Sequence, residues 1–343
     1  MSRHHRFGNK LRSVIRRADF LLFALVLVLG GVLAARYGPE APVGEVEPLA
    51  VASADDSAEI STASKKVQKA GVPVRFLMYN VQNYFVANEK SRSRFVCRPK
   101  PARERDAVAE VIAAAKPDIV GLIEIGGELA LSDLCRRLSK RGLEYPHTLL
   151  LARDGEDRAL ALLSRYPIVE DNSRRNHPLH GGGRRMMLRG ILDATVQMPD
   201  GRCFRFCGVH LKSRVGGDAA SEHLRKTEAR TLAFHVHELL KPQPDLPLVV
   251  YGDWNDGPND ESMGVLKHGI GRQSALSRVP AADSGGDEWT LFYRTEKVYY
   301  VFDQILVNSA MRKRRSRGCE SGVVDIEAAA RASDHRAVWC DLR

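Results

Sequence analysis

The stretch Leu246-Pro-Leu-Val-Val-Tyr-Gly-Asp-Trp-Asn-Asp-Gly-Pro-Asn259 constrains the fold of this chain more than any other segment. Leu248, Val249 and Val250 form a short apolar, β-branched run that suits a buried strand. The run stops at Gly252, and Asp253, Asn255 and Asp256 follow at once. A strand with a carboxylate and a carboxamide two residues apart points both to one side, at the mouth of a sheet where open α/β folds hold ligands. The same residues also make an ordinary turn, because Gly, Asn and Asp favour turns for local reasons. The rest of the chain decides which description matters.

Other apolar runs end in the same manner. Val74–Val81 reads as a strand that reaches Asn80, a poor strand residue, which caps a turn or holds a phosphate or a metal-bound water. Ala102–Ala115 places Val108, Val111, Ile112 and Ala115 on one face, a helix stopped by Lys116-Pro117. Asp118–Ile125 is a second buried strand with Glu124 inside it, where a carboxylate is costly unless paired or bound to a cation. Glu128–Arg141 reads as a helix with Leu129, Leu131, Leu134 and Leu138 inward, and Ala159–Ile168 as a strand closed by Pro167. Arg174–Arg185 is a Gly- and Arg-rich loop with no helix start after it, so it is a poor phosphate cradle.

Leu188–Met198 and Arg202–Leu211 alternate around Pro199-Asp200-Gly201, a hairpin signal that delivers His210 beside Lys212 and Arg214. Ala219–Leu240 reads as a long helix. Trp289–Tyr293 and Val298–Val307 read as a strand pair carrying Asp303, and Met311–Arg317 as a basic solvated loop. Asp334 and His335 open a last strand, Ser333–Trp339.

Charge and hydropathy describe the first seventy residues. The net charge is +10, but Arg3, Arg6, Lys10, Arg12, Arg16 and Arg17 carry six of the 52 basic residues, leaving 46 against 42 acidic ones. A mildly basic body and a strongly basic tail point to a membrane-proximal segment before a polynucleotide groove. Phe20–Ala35 is sixteen residues without a charge, and with its flanks (residues 18–37) it approaches the length of a span. It is expected to be an uncleaved anchor, with a cleaved signal peptide as the rival. In either case residues 1–17 stay in the cytoplasm and the remainder is extracytoplasmic, membrane-held or secreted. Residues 38–70 lack apolar periodicity and read as a flexible linker before a domain at 71–343.

The six cysteines show no zinc spacing. Cys203 and Cys207 share a strand face about 13 Å apart, too far to bridge. In an exported domain Cys97 and Cys135 are the pair to test first.

Strands thus end in Asn, Glu, His, Asp-x-Asn, Asp and Asp-His, with no nucleophile elbow, P-loop or dinucleotide fingerprint. Hard carboxylates with two His and two Asn suit Mg²⁺ or Mn²⁺ and phosphate ester hydrolysis. Asn80-Val-Gln-Asn83, Ile123-Glu124, Leu163-Ser-Arg-Tyr-Pro167, His210-Leu-Lys-Ser213, Gly252-Asp-Trp-Asn255, Asp303-Gln-Ile-Leu306 and Ser333-Asp-His335 occur in that order. In these motifs residues 72–343 resemble the endonuclease/exonuclease/phosphatase superfamily. The resemblance implies an α/β fold, two packed mixed β-sheets with helices outside, a four-layer sandwich. It implies that Glu124 binds the divalent cation, with Asn80 close to it and Asp334 on the metal side. It further implies that Asp253 orients or deprotonates the attacking water and that Asn255 holds a phosphate oxygen. His335 would hold the scissile phosphate with its tautomer set by Asp303, and His210 would contact phosphate or assist the leaving group. Lys212 and Arg189 are the expected substrate contacts. Gln82 stands where the superfamily often has an acid, which bears on whether the first strand ligates metal directly.

Such a site cuts DNA, RNA, phospholipids or sugar phosphates alike. The expected activity is a membrane-anchored phosphodiesterase or nuclease. A lipid or sugar-phosphate phosphoesterase is the alternative, and a catalytically inactive binding scaffold comes third. No protein partner is evident.

Overall fold

The structure is a computed structural model that describes residues 73–93, 98–215, 217, 219–315 and 318–343. The basic tail, the apolar run Phe20–Ala35, the linker and Cys97 lie outside the described residues. Among the described residues no helix is long and apolar enough to cross a membrane.

The first half of the domain contains β1 (Val74–Tyr84), α1 (Ala102–Ala115), β2 (Ile119–Ile125), α2 (Glu128–Ser139), β3 (His147–Arg153), β4 (Glu156–Ser164) and β5 (Ile168–Asp171). Then follow β6 (Leu192–Gln197), β7 (Cys203–His210), α3 (Ala219–Leu240), β8 (Leu248–Asp253) and α4 (Glu261–His268). The chain closes with β9 (Ser277–Arg278), β10 (Leu291–Tyr293), β11 (Val298–Tyr300), β12 (Asp303–Val307), α5 (Ser309–Arg315), β13 (Ser321–Val323), α6 (Ala329–Ala332) and β14 (Val338–Leu342).

Two six-stranded sheets result, in the orders β13-β14-β1-β2-β4-β3 and β5-β6-β7-β8-β12-β9. Each is mixed, with a parallel pair near its centre, β1 with β2 and β7 with β8. The central strands are apolar on both faces because both faces are covered. In β1, Phe76 and Met78 face the second sheet's Phe204, Phe206, Val249 and Tyr251, while Leu77 and Tyr79 pack with Val108 and Ile112 of α1. Outside the second sheet, Cys207, Val209 and Val250 meet Leu232 and Val236 of α3. The layers are therefore helix, sheet, sheet, helix, as the resemblance implied. Tyr251 is fully buried between the sheets, and a Cβ added at Gly121 would lie 2.3 Å from its ring. A glycine there lets the sheets approach across an aromatic side chain.

Several sequence expectations are corrected. Leu129 is exposed, because α2 buries only the stripe that includes Leu131, Leu134 and Leu138. The run Ala159–Ile168 divides: β4 ends at Ser164, and Ile168 opens β5 in the other sheet. Val298–Val307 also divides, since β11 pairs only with β10 while β12 pairs with β8. Met311–Arg315 lies in helix α5, which buries Met311 and leaves the cations at the surface. Asp334 and His335 precede β14, which starts at Val338.

Candidate active site

Strand register assembles the site. In the parallel β7–β8 pair His210 lies opposite Asp253, and in the antiparallel β8–β12 pair Asp253 lies opposite Asp303. Three chemistry-bearing residues therefore stand in a row across three adjacent strands. The other sheet brings Asn80 from β1, and His335 comes from the loop before β14, where it bridges to Leu291.

Asp253 is the hub of this row. Its Oδ2 accepts a hydrogen bond from Asn80 Nδ2 at 2.9 Å and lies 3.6 Å from His210 Nε2 and 3.8 Å from His335 Nε2. Its Oδ1 accepts from the Asn255 amide N–H at 3.0 Å. Burial pushes the Asp253 carboxyl up to about 7, even though His335 pulls it down. His335 Nδ1 is 2.7 Å from Asp303 Oδ2. Burial alone would lower the imidazole, but Asp303 and Asp253 outweigh it and hold His335 well above the ordinary range. Its Nδ1–H is donated to Asp303. His210 is pushed well below its ordinary value by burial, then by Arg189 and His335, and is neutral. These are the environments that separate acid from base in one pocket.

Glu124 does not sit within a regular strand. Ile123 and Ile125 pair with successive residues Leu160 and Ala159 of β4, so Glu124 bulges out, with φ at 64°. The bulge spares the carboxylate the cost of an apolar interior and aims it at the site. Its Oε2 accepts from Asn83 N–H at 3.0 Å, and its Oε1 lies 3.8 Å from His210 Nε2. Gln82, Asn83 and Asn255 also have positive φ. Asn tolerates this backbone, whereas Gln82 and Glu124 hold it at a cost of roughly 1–3 kcal/mol each, a strain that gathers where a site needs side chains aimed. Asn255 therefore does not continue the alternation of β8. Its Nδ2 donates to Leu211 O at 3.1 Å, which ties the end of β8 to the segment after His210.

The oxygen donors fit a hard divalent cation. Glu124, the Oδ1 of Asn80 and the half-exposed Asp334 offer only oxygen, and the carboxylates of Asp253, Asp303 and Asp334 all lie within 4 Å of the His335 ring nitrogens. Asp253, Asp303 and His335 also bring ligand-type atoms within 4.8 Å of one another. In that trio His335 Nδ1 and Asp303 Oδ2 are already hydrogen-bonded to each other.

The two expected substrate contacts differ. Lys212 Nζ donates to Ser213 O at 2.9 Å and Val215 O at 3.2 Å, so its ammonium is turned onto its own loop. Arg189 is 8% exposed, 3.1 Å from Glu156 Oε2, and close enough to His210 to lower it. Sequence reading passed over two further residues. Arg158 donates to Asn83 Oδ1 at 2.8 Å and lies 3.6 Å from Glu124 Oε2. Its signal was a cation in phase with Leu160 and Leu162 on an apolar face. Buried Glu228 of α3 accepts the backbone N–H groups of Leu188 at 2.9 Å and Lys212 at 2.7 Å, fixing the segments that carry Arg189 and His210. Gln82, in the place of an acid, accepts the Asp334 N–H through Oε1 at 3.2 Å. Beside Asp334 opens a cleft of about 540 Å³, lined in part by Arg103, Arg294, Arg331, Phe292 and Tyr293.

The sequence matches the endonuclease/exonuclease/phosphatase family over residues 79–335. Among solved structures, the human Nocturnin catalytic domain with bound sulfate is similar at 18% identity and TM-score 0.55, covering 79% of this chain and 94% of that one. The endonuclease/exonuclease/phosphatase from Bacteroides vulgatus is similar at 16% identity and TM-score 0.56, covering 80% and 99%. Sphingomyelinase C from Streptomyces griseocarneus is similar at 17% identity and TM-score 0.54, covering 80% and 100%. At these identities the likeness is one of fold. A comparison with curated proteins finds no match.

Proposed function

This chain belongs to the endonuclease/exonuclease/phosphatase family, whose members hydrolyse phosphoester bonds, and we propose that it is a membrane-anchored, divalent-metal-dependent phosphodiesterase of the nuclease type. The observation that carries this reading is the position of Asp253 Oδ2, within 4 Å of both His210 Nε2 and His335 Nε2 and hydrogen-bonded to Asn80.

The chain's own groups divide the work. Asp253, lifted to about 7 by burial, accepts a proton from water as the water attacks phosphorus, near the pH where a general base is most effective. His335, kept cationic by Asp303, donates Nε2–H to a phosphoryl oxygen and gains strength as negative charge builds there. Neutral His210 can donate one N–H to the phosphate or towards the departing oxygen, and Arg189 behind it adds positive potential. Asn255 fixes the end of β8 and offers its remaining Nδ2–H to a phosphate oxygen. Glu124 and Asn80, with Asp334, would hold Mg²⁺ or Mn²⁺, which supplies charge neutralisation at the phosphoryl group when bound.

The cleft beside Asp334 favours nucleic acid over a lipid headgroup. Guanidinium groups of Arg103, Arg294 and Arg331 suit successive phosphates, and Phe292 and Tyr293 offer faces on which bases stack. The test is a panel of plasmid DNA, RNA, sphingomyelin and bis-p-nitrophenyl phosphate, with and without Mg²⁺ or Mn²⁺. Metal-dependent cleavage of nucleic acid with sphingomyelin untouched is expected; preferential cleavage of sphingomyelin would replace this reading with the lipid one. The anchor rests on Phe20–Ala35 and its basic flank. A reporter fused after residue 343 should lie outside the cytoplasm in the membrane fraction, and a soluble cytoplasmic reporter would remove that part.

A further inference from the structure

On the outer face of the second sheet, away from the row formed by His210, Asp253 and Asp303, three buried groups from three elements converge. Asp193 of β6, Cys207 of β7 and His235 of α3 bring a carboxylate oxygen, a thiol sulfur and an imidazole nitrogen within 4.8 Å of one another. Their residues are 1%, 0% and 9% exposed. His177 stands beside His235, the ring centroids 5.5 Å apart and the planes at 78°. Two imidazoles sharing one tetrahedral ion, with metal–nitrogen bonds of about 2.1 Å, have centroids about 5 Å apart. His177 Nδ1 lies 3.1 Å from Pro178 O, the backbone contact that holds Nδ1–H and leaves Nε2 with a lone pair for a ligand bond.

We propose that Asp193, Cys207 and His235, completed by His177, bind one Zn²⁺ ion that pins the β6–β7 hairpin to α3. The mixed sulfur, nitrogen and oxygen set selects a borderline metal over Mg²⁺ or Mn²⁺, so the site is chemically distinct from the all-oxygen set proposed from Glu124, Asn80 and Asp334. Without the ion, His235 Nε2–H donates to Asp193 Oδ2 at 2.9 Å and Arg205 pairs with the same carboxylate. On binding, the Cys207 thiol proton leaves to solvent and the His235 proton moves to Nδ1. Arg205 remains on Asp193 as its outer partner.

Full-length protein freed of metal by dialysis against a chelator is titrated with Co²⁺ as the spectroscopic probe and then with Zn²⁺. One equivalent of Co²⁺ should produce tetrahedral visible bands and a near-ultraviolet thiolate charge-transfer band, both displaced by Zn²⁺. Cys207→Ala should abolish the charge-transfer band and weaken binding by more than about 100-fold, and His177→Ala should weaken it by roughly 10–100-fold with unchanged circular dichroism. Glu124→Gln should leave the band intact, which separates this site from the one proposed for catalysis. Absence of the band in wild-type protein, or an identical spectrum in Cys207→Ala, overturns the proposal. Where Cys207→Ala does not fold, unchanged Co²⁺ affinity in His177→Ala and Cys207→Ser together has the same force.

Discussion

The imidazole of His335 and the carboxylate of Asp303 meet at 2.7 Å, and the residues are 8% and 2% exposed. They come from segments 32 positions apart, held together by the bridge between Leu291 and His335 and by Thr290, whose Oγ1 accepts the Asp303 N–H at 2.9 Å. An amide at position 303 keeps the shape of the pair but cannot stabilise an imidazolium. Asp303→Asn should therefore lower kcat with little change in KM, and by less than the roughly 10²–10³-fold expected of His335→Ala. Steady-state kinetics on an activated phosphodiester checks this; equal losses in the two variants would mean that Asp303 does more than hold the ring.

Metal dependence rests on Glu124, aimed by its bulge. Chelation should abolish hydrolysis, and Mg²⁺ or Mn²⁺ should restore it. Glu124→Gln should keep the fold yet need more metal for half-maximal rate, because an amide is a poorer ligand for a hard cation. Full activity in excess chelator would rule the assignment out.

A separate network ties the helices of the first sheet together. Asp133 of α2 accepts from Tyr84 Oη at 2.9 Å, Arg105 Nη1 of α1 at 2.6 Å and Arg137 Nε at 2.8 Å. Burial works against the charge, but these hydrogen bonds hold Asp133 down to about 2. The folded value lies below the ordinary one, so the stabilisation is fully present above a pH of about 4 and fades as pH falls through about 2. Asp133→Ala should cost about 3–5 kcal/mol at neutral pH, leaving arginines without their carboxylate. Urea unfolding at several pH values should show that gap narrowing on acidification; a constant gap would contradict the ionised network.

Tyr251 and Gly121 make a packing prediction. With an added Cβ 2.3 Å from the ring, Gly121→Ala should destabilise by about 1–3 kcal/mol, and Tyr251→Leu should recover part of the loss in the double variant. Thermal unfolding of the four proteins measures the coupling, and strictly additive losses would remove the contact as its cause.

Legibility in the sequence followed local physics. Ala102–Ala115 has the bounds read from the sequence, because amphipathic periodicity and the Lys116-Pro117 stop are local signals, and Ala219–Leu240, read as one long helix, has its bounds too. The Pro199-Asp200-Gly201 hairpin was equally local. The division of Val298–Val307 was not, since β12 is a strand of the large sheet only through its pairing with β8. Helix α5 escaped because one buried residue, Met311, sets no period. In the site, residue types were readable at strand ends, but the row His210, Asp253 and Asp303 depends on register across segments 43 and 50 residues apart. Glu124 read as buried because a bulge has no composition signal when its residue is not glycine, and Lys212 read as available because nothing local showed its ammonium turned onto Ser213 and Val215.

In the proposed reaction Asp253 takes the proton of the attacking water. The most direct measurement is kcat for Asp253→Asn, with metal present and the fold confirmed by circular dichroism, alone and combined with His335→Ala. Loss of a general base predicts a fall of about 10²–10⁴-fold in kcat with KM little changed. Because the two groups serve one event, the double variant should lose far less than the product of the single losses. Wild-type kcat in Asp253→Asn would contradict the account of the site.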